Sequence, residues 1–391
     1  FGLTDNSGDA GHPQPPHFAR WRLRAEQCRS LGWMVKREEE PAPLVVEYRA
    51  HTRGRVHYLQ ASSSLVFWGG VTDVRLRAKY EVRGGILGDA IGYGKTATTI
   101  GLIDARMGKP PPPIPAWEEG RFFNTRATLV LCPSNLIAQW EQEIEKFVGR
   151  QTFKVLVVRT VTQLKAATVK SIQEVDIVLC SYRLLYSPIY QKRLRYFSGS
   201  AGVEEAHLAA APGGMSSAFG RKLQRMPYAR HADSVDLAAL RQRTAQFIRN
   251  PRRSKWQGAQ GSGDKFAHTV EELQYPVLEQ FWWNRLVYDE FHELEGFALS
   301  QQGSLQFLRG HFRWGLTGTP PTDTVRHIIF MASLFRVDLA GKSVESLRRA
   351  DQVLFDCEDP RPCREPLWRQ EVRRAEHALK RRRCRHCRRF S

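Results

Sequence analysis

The sequence lacks an apolar run long enough to cross a lipid bilayer. Its longest runs are 65–68 and 328–335, the second interrupted by Ser333, whereas a membrane-spanning helix needs about 20 apolar residues. We therefore expect no membrane span and no membrane partner. A basic start followed by an apolar stretch is also missing, so no secretory signal is recognisable. Because the first residue is Phe1 rather than Met, we expect a piece of a longer protein.

Cysteine is scarce and odd in number. The chain has seven cysteines, and Cys132 and Cys180 each end a short apolar run that is typical of a buried strand. This pattern argues against a disulfide framework and for a reducing compartment.

Acidic residues are outnumbered by basic ones. The chain has 40 Asp and Glu against 59 Lys and Arg, a net charge of +19. Such an excess favours a polyanionic partner, and nucleic acid is the commonest, because Lys and Arg that neutralise phosphates release condensed counterions. Hydrophobic residues make up 42% of the chain and charged residues 25%. This composition excludes a wholly disordered chain.

The 391 residues suffice for two to three domains at roughly 150 residues each. Over 84–350 we expect an α/β domain, because short apolar runs alternate with helical patterns, which is typical of a parallel sheet flanked by helices. Residues 1–20 are predicted to be a linker, and 21–83 a helix followed by a spacer of strands or irregular structure. The predicted strands are 128–132, 154–158, 176–180, 285–288 and 312–316.

A basic segment interrupts this alternation. Residues 191–256 contain 13 Lys and Arg and four acidic residues, and we interpret 191–280 as a basic insertion in the α/β domain, helical around 237–248. Two interpretations stay open, a solvated loop and an insertion that contacts DNA.

The end of the chain is also basic, with 12 Lys and Arg against three acidic residues over 361–391. We predict a mostly helical region over 351–391. Cys384 and Cys387 are either half of a zinc site or incidental cysteines on a basic helix. The run 380–383 is either a nuclear-import patch or a phosphate-contacting face.

The segment 84–96 places glycines and a lysine directly before a helical pattern. Gly92 and Gly94 let the backbone curl so that N–H groups face a phosphate chain, Lys95 can reach the β and γ phosphates, and the Thr96 hydroxyl can bind Mg²⁺. The segment is therefore predicted to be a phosphate-binding loop for ATP.

Two adjacent carboxylates follow the apolar run of 285–288. In a phosphate-loop ATPase the first of such a pair, here Asp289, holds Mg²⁺, and the second, Glu290, activates the attacking water. Taken alone, the pair would equally suit an acidic helix cap. Its place behind a phosphate loop favours catalysis, with Lys95, Asp289 and Glu290 as catalytic residues and Thr96 and Asp289 as metal ligands.

A third segment, 313–320, leads from an apolar run into a turn containing Thr317 and Thr319. Two hydroxyls on a tight turn beside the carboxylate pair can sense the γ-phosphate, so both threonines are predicted to line the nucleotide site.

Five motifs in this order resemble those of the helicase-like superfamily-two ATPases, and in detail those of the Swi/Snf family of DNA translocases. The segments that carry the resemblance are 85–96, 129–143, 176–182, 289–292 and 316–323. The resemblance implies a RecA-like phosphate-loop ATPase lobe with a mostly parallel sheet, and it covers the first of the family's two lobes.

Upstream, 23–37 is similar to the family segment that recognises adenine, and the resemblance assigns that role to Gln27. A long spacer before the phosphate loop is most similar to the subgroup of the helicase-like transcription factor and its yeast repair relatives. Asp89 stands where a strict phosphate loop has glycine, and the family motif, which has an aspartate there, explains it. The chain departs from the family pattern at Ala90, at Tyr93 and at 322–323. Tyr93 is placed in the nucleotide loop.

The resemblance implies an ATP- and Mg²⁺-dependent double-stranded DNA translocase of the nucleus, acting in chromatin remodelling or DNA repair. Its implied partners are double-stranded DNA, nucleosomes and a second RecA-like lobe of the same polypeptide. We expect the chain alone to bind nucleotide weakly and to hydrolyse it poorly. Two alternatives stay open: a hydrolysis-incompetent module that binds DNA or chromatin proteins, and a phosphate-loop transferase such as a small-molecule kinase, which the motif order and the charge oppose.

Overall fold

In the computed structural model of the chain, the described residues are 6–53, 59–61, 63–65, 71–198, 237–250, 269–296, 304–320 and 325–337. The helices are α1 Ala25–Glu39, α2 Lys95–Ala105, α3 Ile137–Val148, α4 Val161–Ala166, α5 Val169–Gln173, α6 Tyr182–Tyr186, α7 Pro188–Ser198, α8 Leu237–Arg249 and α9 Val325–Leu334. The strands are β1 Ala42–Arg53, β2 Leu59–Ala61, β3 Ser63–Leu65, β4 Val71–Val82, β5 Gly84–Leu87, β6 Phe123–Asn124, β7 Thr128–Cys132, β8 Val155–Val158, β9 Ile177–Ser181, β10 Phe281–Asp289 and β11 Arg309–Leu316. None of the helices in these ranges is long and apolar enough to span a membrane.

A seven-stranded parallel sheet forms the centre of the domain. Its order is β5-β11-β10-β7-β9-β8, with the short β6 beside the start of β10. Every residue of β7 and of β9 is buried, which explains why these strands appear in the sequence as uninterrupted apolar runs. The five predicted strands and the predicted α/β fold are confirmed.

Successive side chains of each strand point to opposite faces of the sheet, so the core divides into two clusters. On one face, Val130, Ile177 and Trp314 pack with apolar residues of α1, α2 and α3. On the other face, Leu129 and Val178 pack with residues of α4 to α9. Helices on both faces of a parallel sheet cover all of its apolar surface.

The segment before α1, for which the composition predicts a linker, packs against the lobe from Asn6 onward. The Phe18 ring stacks on Phe147 with ring centroids 5.0 Å apart, and the amide N–H of His17 donates to the buried carboxylate of Asp104. Apolar and hydrogen-bonded contacts thus make this part of the expected linker a portion of the folded lobe.

The basic segment 191–280 is described in three parts, 191–198, 237–250 and 269–280, and each contributes buried residues to the core. The helix expected around 237–248 is present as α8, and Leu240 and Phe247 on its inner face are buried in the same cluster as Phe197 of α7. These two helices are therefore packed elements rather than a solvated loop. The parts 199–236 and 251–268 lie outside the described residues, as do the basic region 351–391 with Cys384 and Cys387.

The spacer before the phosphate loop contains strands. Residues 43–81 belong to a second compact unit, in which β1 pairs with β4 and β2 pairs with β3 as an antiparallel hairpin. The β-branched residues of the described spacer segments, such as Val45, Val46, Val71 and Val74, are thus strand residues, as one of the two interpretations expects.

Candidate functional site

The candidate site lies at the carboxyl edge of the parallel sheet, where β5, β11 and β10 end side by side. Leu87 pairs with Leu316, and Leu316 pairs with Asp289. The three segments that follow these residues are the phosphate loop, the threonine turn and the carboxylate pair. Open parallel sheets bind their ligands at this edge.

The phosphate loop curls through two glycines with positive φ, +85° at Gly92 and +80° at Gly94. Gly94 is in the left-handed conformation and immediately precedes α2, whose first residues are Lys95 and Thr96. Such a turn leaves the first backbone N–H groups of the helix available to an anion. The Lys95 ammonium group folds back under the loop and donates to the carbonyl oxygen of Asp89 at 2.9 Å.

Two residues at the start of α1 donate hydrogen bonds to the phosphate loop. Gln27 Nε2 donates to the Tyr93 carbonyl oxygen at 2.9 Å, and Arg24 Nη2 donates to that oxygen at 3.1 Å. A Cβ at Gly94 would lie 2.2 Å from Gln27 Nε2, so the close approach requires glycine there. Gln27 and Tyr93, which the sequence places in the nucleotide site, are brought into direct contact through the main chain of Tyr93.

Asp289 is buried at the end of β10, and three groups hold its carboxylate and main chain. Trp140 Nε1 donates to Asp289 Oδ2 at 2.7 Å, and the Glu290 amide N–H donates to Asp289 Oδ1 at 3.0 Å. The Tyr182 hydroxyl donates to the Asp289 carbonyl oxygen at 2.9 Å.

The electrostatic environment of Asp289 reflects this position. Burial raises the pKa of Asp289 to about 6. The hydrogen bond from Trp140 and the nearby positive charge of Lys95 each lower this pKa, but by less than burial raises it. Lys95 follows the loop after β5 and Asp289 ends β10, so both lie at the carboxyl edge of the sheet. A divalent cation bound there would favour the ionised form of Asp289.

Glu290 lies in a strained turn next to the threonine turn. Its φ is +48°, a conformation that costs energy for a residue with a side chain. Nδ1 of His292 lies 3.2 Å from Glu290 Oε2 and 2.9 Å from Thr317 Oγ1. The Thr319 amide N–H in turn donates to Thr317 Oγ1 at 3.1 Å. His292 therefore connects the carboxylate pair to the threonine turn.

The threonine turn also approaches the phosphate loop. The Thr317 amide N–H donates to the carbonyl oxygen of Leu87 at 3.2 Å, and a Cβ at Gly318 would lie 3.6 Å from Lys95 Nζ. The structure thus brings together Lys95, Asp289, Glu290, Thr317 and Thr319, with Thr96 in the first turn of α2. Residues 322–323 at the end of this motif lie outside the described residues.

Sequence reasoning missed four contributors to this site. The sequence predicts Trp140 only as an apolar residue on the buried face of a helix. It assigns no role to Arg24, Tyr182 or His292. Each acts through a polar atom that meets a residue distant in sequence, such as the 149 positions between Trp140 and Asp289. The one available signal is the type of residue, because a buried Trp or Tyr usually needs a partner for its N–H or O–H group.

Chemically, the site joins a cation and a helix N-terminus to a buried carboxylate pair and a hydroxyl turn. The first two groups suit a phosphate chain, and carboxylate and hydroxyl oxygens are the kind of ligand that a hard divalent cation takes. The second carboxylate is a group of the kind that can move a proton or orient a water.

Comparisons with known proteins show which proteins the chain resembles. The DNA (cytosine-5-)-methyltransferase DMT5 of Cryptococcus neoformans is 25% identical over 416 residues, covering 87% of this chain and 16% of that protein. DNA repair protein RAD5B of Arabidopsis thaliana is 31% identical over 205 residues, covering 46% of this chain and 16% of that protein. The chain therefore spans about a sixth of the length of these relatives.

A solved structure of the Sulfolobus solfataricus SWI2/SNF2 ATPase core domain also matches, with 14% identity and a TM-score of 0.44, covering 96% of this chain and 45% of that one. The family model of the SNF2-related domain matches residues 26–348. These residues include α1 from its second residue, the phosphate loop, the carboxylate pair and the threonine turn. The chain belongs to the SNF2-related domain family.

Proposed function

We propose that this chain is the nucleotide-binding first lobe of an ATP-dependent double-stranded DNA translocase that acts in chromatin remodelling or DNA repair in the nucleus. The observation that carries the proposal is the convergence of Lys95, Asp289 and Glu290 at one edge of the sheet. Family membership and the similarity to DNA repair protein RAD5B support the same activity.

The site residues fit a magnesium nucleotide. Lys95 donates to a main-chain carbonyl of its own loop, so its ammonium group can exchange that contact for a phosphate oxygen. Thr96 and Asp289 would hold Mg²⁺, which when bound neutralises charge on the phosphates. The hydrogen bonds from Trp140 and from the Glu290 amide N–H hold the two carboxylate oxygens of Asp289 in place.

Glu290 is the residue that orients and activates the attacking water in this proposal. Its main chain is held by the Asp289 carboxylate, and its side chain lies beside His292. Because His292 also contacts Thr317, a change at the γ-phosphate sensed by the threonine turn can move the general base. Hydrolysis and the state of the turn would thus be linked by direct contacts.

The proposed substrate track is duplex DNA. The net charge of +19 favours contacts with phosphates, which position a protein without reading sequence. Translocation further requires a second RecA-like lobe that closes on the bound nucleotide. We therefore expect weak nucleotide binding and little turnover from this chain without such a lobe.

The second candidate is a module that binds DNA or chromatin proteins without hydrolysing ATP. Ala90 stands in the phosphate loop where the family pattern has an acidic residue, and this departure favours the second candidate. The intact set of Lys95, Thr96, Asp289 and Glu290 favours the enzyme.

Binding of a fluorescent ATP analogue with Mg²⁺ tests the nucleotide site directly. The Lys95→Ala variant should lose binding, because the cation beside the phosphates is removed while the loop backbone remains. Lys170→Ala is the matched control, since Lys170 is a half-exposed residue of α5 paired with Glu174. Equal binding by the two variants would contradict the assignment of the phosphate loop.

A further inference from the structure

A basic groove lies on the lobe well away from the nucleotide site. It is a cavity of about 390 Å³ formed by one face of α8 and the loop before β6. The α8 positions recur at spacings of three and four, as expected for a single helical face. The groove is lined by Arg121, Ala238, Arg241, Gln242, Ala245, Gln246 and Arg249.

The groove is at the amino edge of the sheet. Phe123, two residues after Arg121, pairs with Phe281 at the start of β10, and Thr244 of α8 accepts a hydrogen bond from Gln280 Nε2. Asp289 is at the opposite end of the same nine-residue strand, roughly 25 Å away at about 3.3 Å per residue. The groove is therefore a second site, separate from the carboxylate pair.

Its charge is strongly positive and poorly balanced. Glu118 is 3.3 Å from Arg241 and 3.8 Å from Arg121, so a single carboxylate is shared by two guanidinium groups. Arg249 adds a third cation to the lining. Behind the groove, burial lowers the pKa of Arg309, and the charges of Arg336, Arg241 and Arg313 lower it further.

The shape of the groove suits an extended anion. Ala238 and Ala245 have small side chains, which leave space along the helix face. The side-chain amides of Gln242 and Gln246 supply hydrogen-bond donors. Arg241 and Arg249 are two turns apart, about 12 Å along the helix axis. Guanidinium groups at such a separation can contact phosphates about two nucleotides apart on one strand, and arginine binds phosphate oxygens in a bidentate manner.

We propose that this groove binds the phosphate backbone of duplex DNA at a contact separate from the nucleotide site. The inference rests on the DNA-dependent function proposed above for the choice of DNA. The shared chemistry is a run of phosphates, which a soluble oligophosphate also carries. The net charge of the chain and the length of the helix face favour the nucleic acid backbone.

Equilibrium binding of labelled duplex DNA to the 391-residue chain, without nucleotide and over a series of salt concentrations, tests the proposal. The Arg241→Gln/Arg249→Gln variant should bind more weakly, and its slope of log affinity against log salt should be flatter by about 1.8, because each lost phosphate contact on a duplex removes about 0.9. The control Arg150→Gln/Lys170→Gln removes two exposed charges elsewhere and should leave the slope unchanged.

A second pair of variants guards against a folding defect, since Arg241 also packs against Phe122. Gln246 is exposed on the groove face, so Gln246→Arg should tighten DNA binding and Gln246→Glu should weaken it. The same two changes at Gln142, an exposed residue of α3, are the control. Equal affinities for the two Gln246 variants, or an unchanged salt slope in the double arginine variant, would overturn the proposal.

Binding of inorganic tripolyphosphate separates the two sources of phosphate. If the groove variants lose tripolyphosphate binding but keep the DNA affinity and salt slope of the unmodified chain, the ligand is a soluble oligophosphate and the DNA proposal is wrong. The fluorescent ATP analogue should bind the groove variants normally, so a failure here is distinguishable from a failure of the nucleotide site.

Discussion

The indole N–H of Trp140 donates a 2.7 Å hydrogen bond to the Asp289 carboxylate. Trp140 is on α3, within the motif 129–143 that begins on β7. Asp289 ends β10, the strand next to β7 in the sheet. This hydrogen bond stabilises the ionised carboxylate of Asp289, whereas burial favours the neutral form. Two of the sequence motifs are therefore joined at the proposed magnesium ligand.

Removing this donor should weaken the magnesium site. Trp140→Phe keeps an aromatic ring in the core but deletes the N–H group, and hydrogen bonds to charged groups contribute about 1.5–3 kcal/mol. We expect the Mg²⁺ concentration for half-maximal ATPase activity of the full-length protein to rise about tenfold or more. Trp117→Phe is the control, since that side chain is 75% exposed. An unchanged Mg²⁺ requirement in Trp140→Phe would contradict the role of the bond.

The contacts of Gln27 leave part of its amide free for a base. Nε2 uses one of its two N–H donors on the Tyr93 carbonyl, and Oε1 accepts from the Arg24 amide at 2.8 Å, which leaves one donor and one lone pair. If these recognise adenine, Gln27→Ala should weaken binding of ATP more than binding of GTP. Competition titrations with both nucleotides measure the difference. Equal losses of affinity for ATP and GTP would mean that Gln27 only holds the phosphate loop in place.

A buried ion pair connects α1 to the centre of the sheet. Both carboxylate oxygens of Glu38 accept from Arg285 at 2.6 Å, and Trp314 Nε1 donates to Glu38 at 2.9 Å. Glu38→Gln leaves a buried guanidinium without its counter-charge, so the free energy of unfolding should fall by about 3–5 kcal/mol. Chemical denaturation measures this change.

The control for Glu38 is Glu174→Gln, which breaks an exposed pair with Lys170 and should cost less than about 1 kcal/mol. A loss of similar size in both variants would mean that the buried pair contributes no more than a surface pair.

Glu279 makes the stability of the lobe depend on pH. It is 2% exposed, and burial raises its pKa from 4.5 to about 7 although the Tyr190 hydroxyl donates to it at 2.5 Å. An acid whose pKa is raised by folding binds more protons in the folded state. Its contribution to the free energy of unfolding therefore declines as pH rises from about 4.5 to about 7.

Glu279→Gln should remove this dependence. Relative to the unmodified chain, the variant should gain up to about 3 kcal/mol of stability between pH 4.5 and pH 8, at 1.36 kcal/mol per pKa unit. Denaturation at the two pH values measures the difference. A stability difference between variant and unmodified chain that stays constant with pH would contradict the prediction.

The sequence predicts the strands and the site residues because their signals are local. Fully buried parallel strands such as β7 and β9 require apolar residues on both faces, and the phosphate loop requires glycines next to Lys95. These requirements are visible in a short segment, whatever the rest of the chain does.

The environment of the site could not be predicted because it depends on partners far along the chain. Glu38 belongs to a charged run at the end of α1, but it is buried and its partner Arg285 is 247 positions away. The same reason explains the docked segment before α1 and the basic groove. Arg121 and Arg249 line the same groove although they are 128 positions apart in the sequence.

The measurement that tests the central claim most directly compares ATP binding with DNA-stimulated ATPase activity for Glu290→Gln in the full-length protein. If Glu290 activates the attacking water, the variant should bind ATP as the unmodified protein does while turnover falls at least about a hundredfold, since a general base contributes about 10² to 10⁴ in rate. Turnover at the unmodified rate, or parallel losses of binding and turnover, would contradict the account.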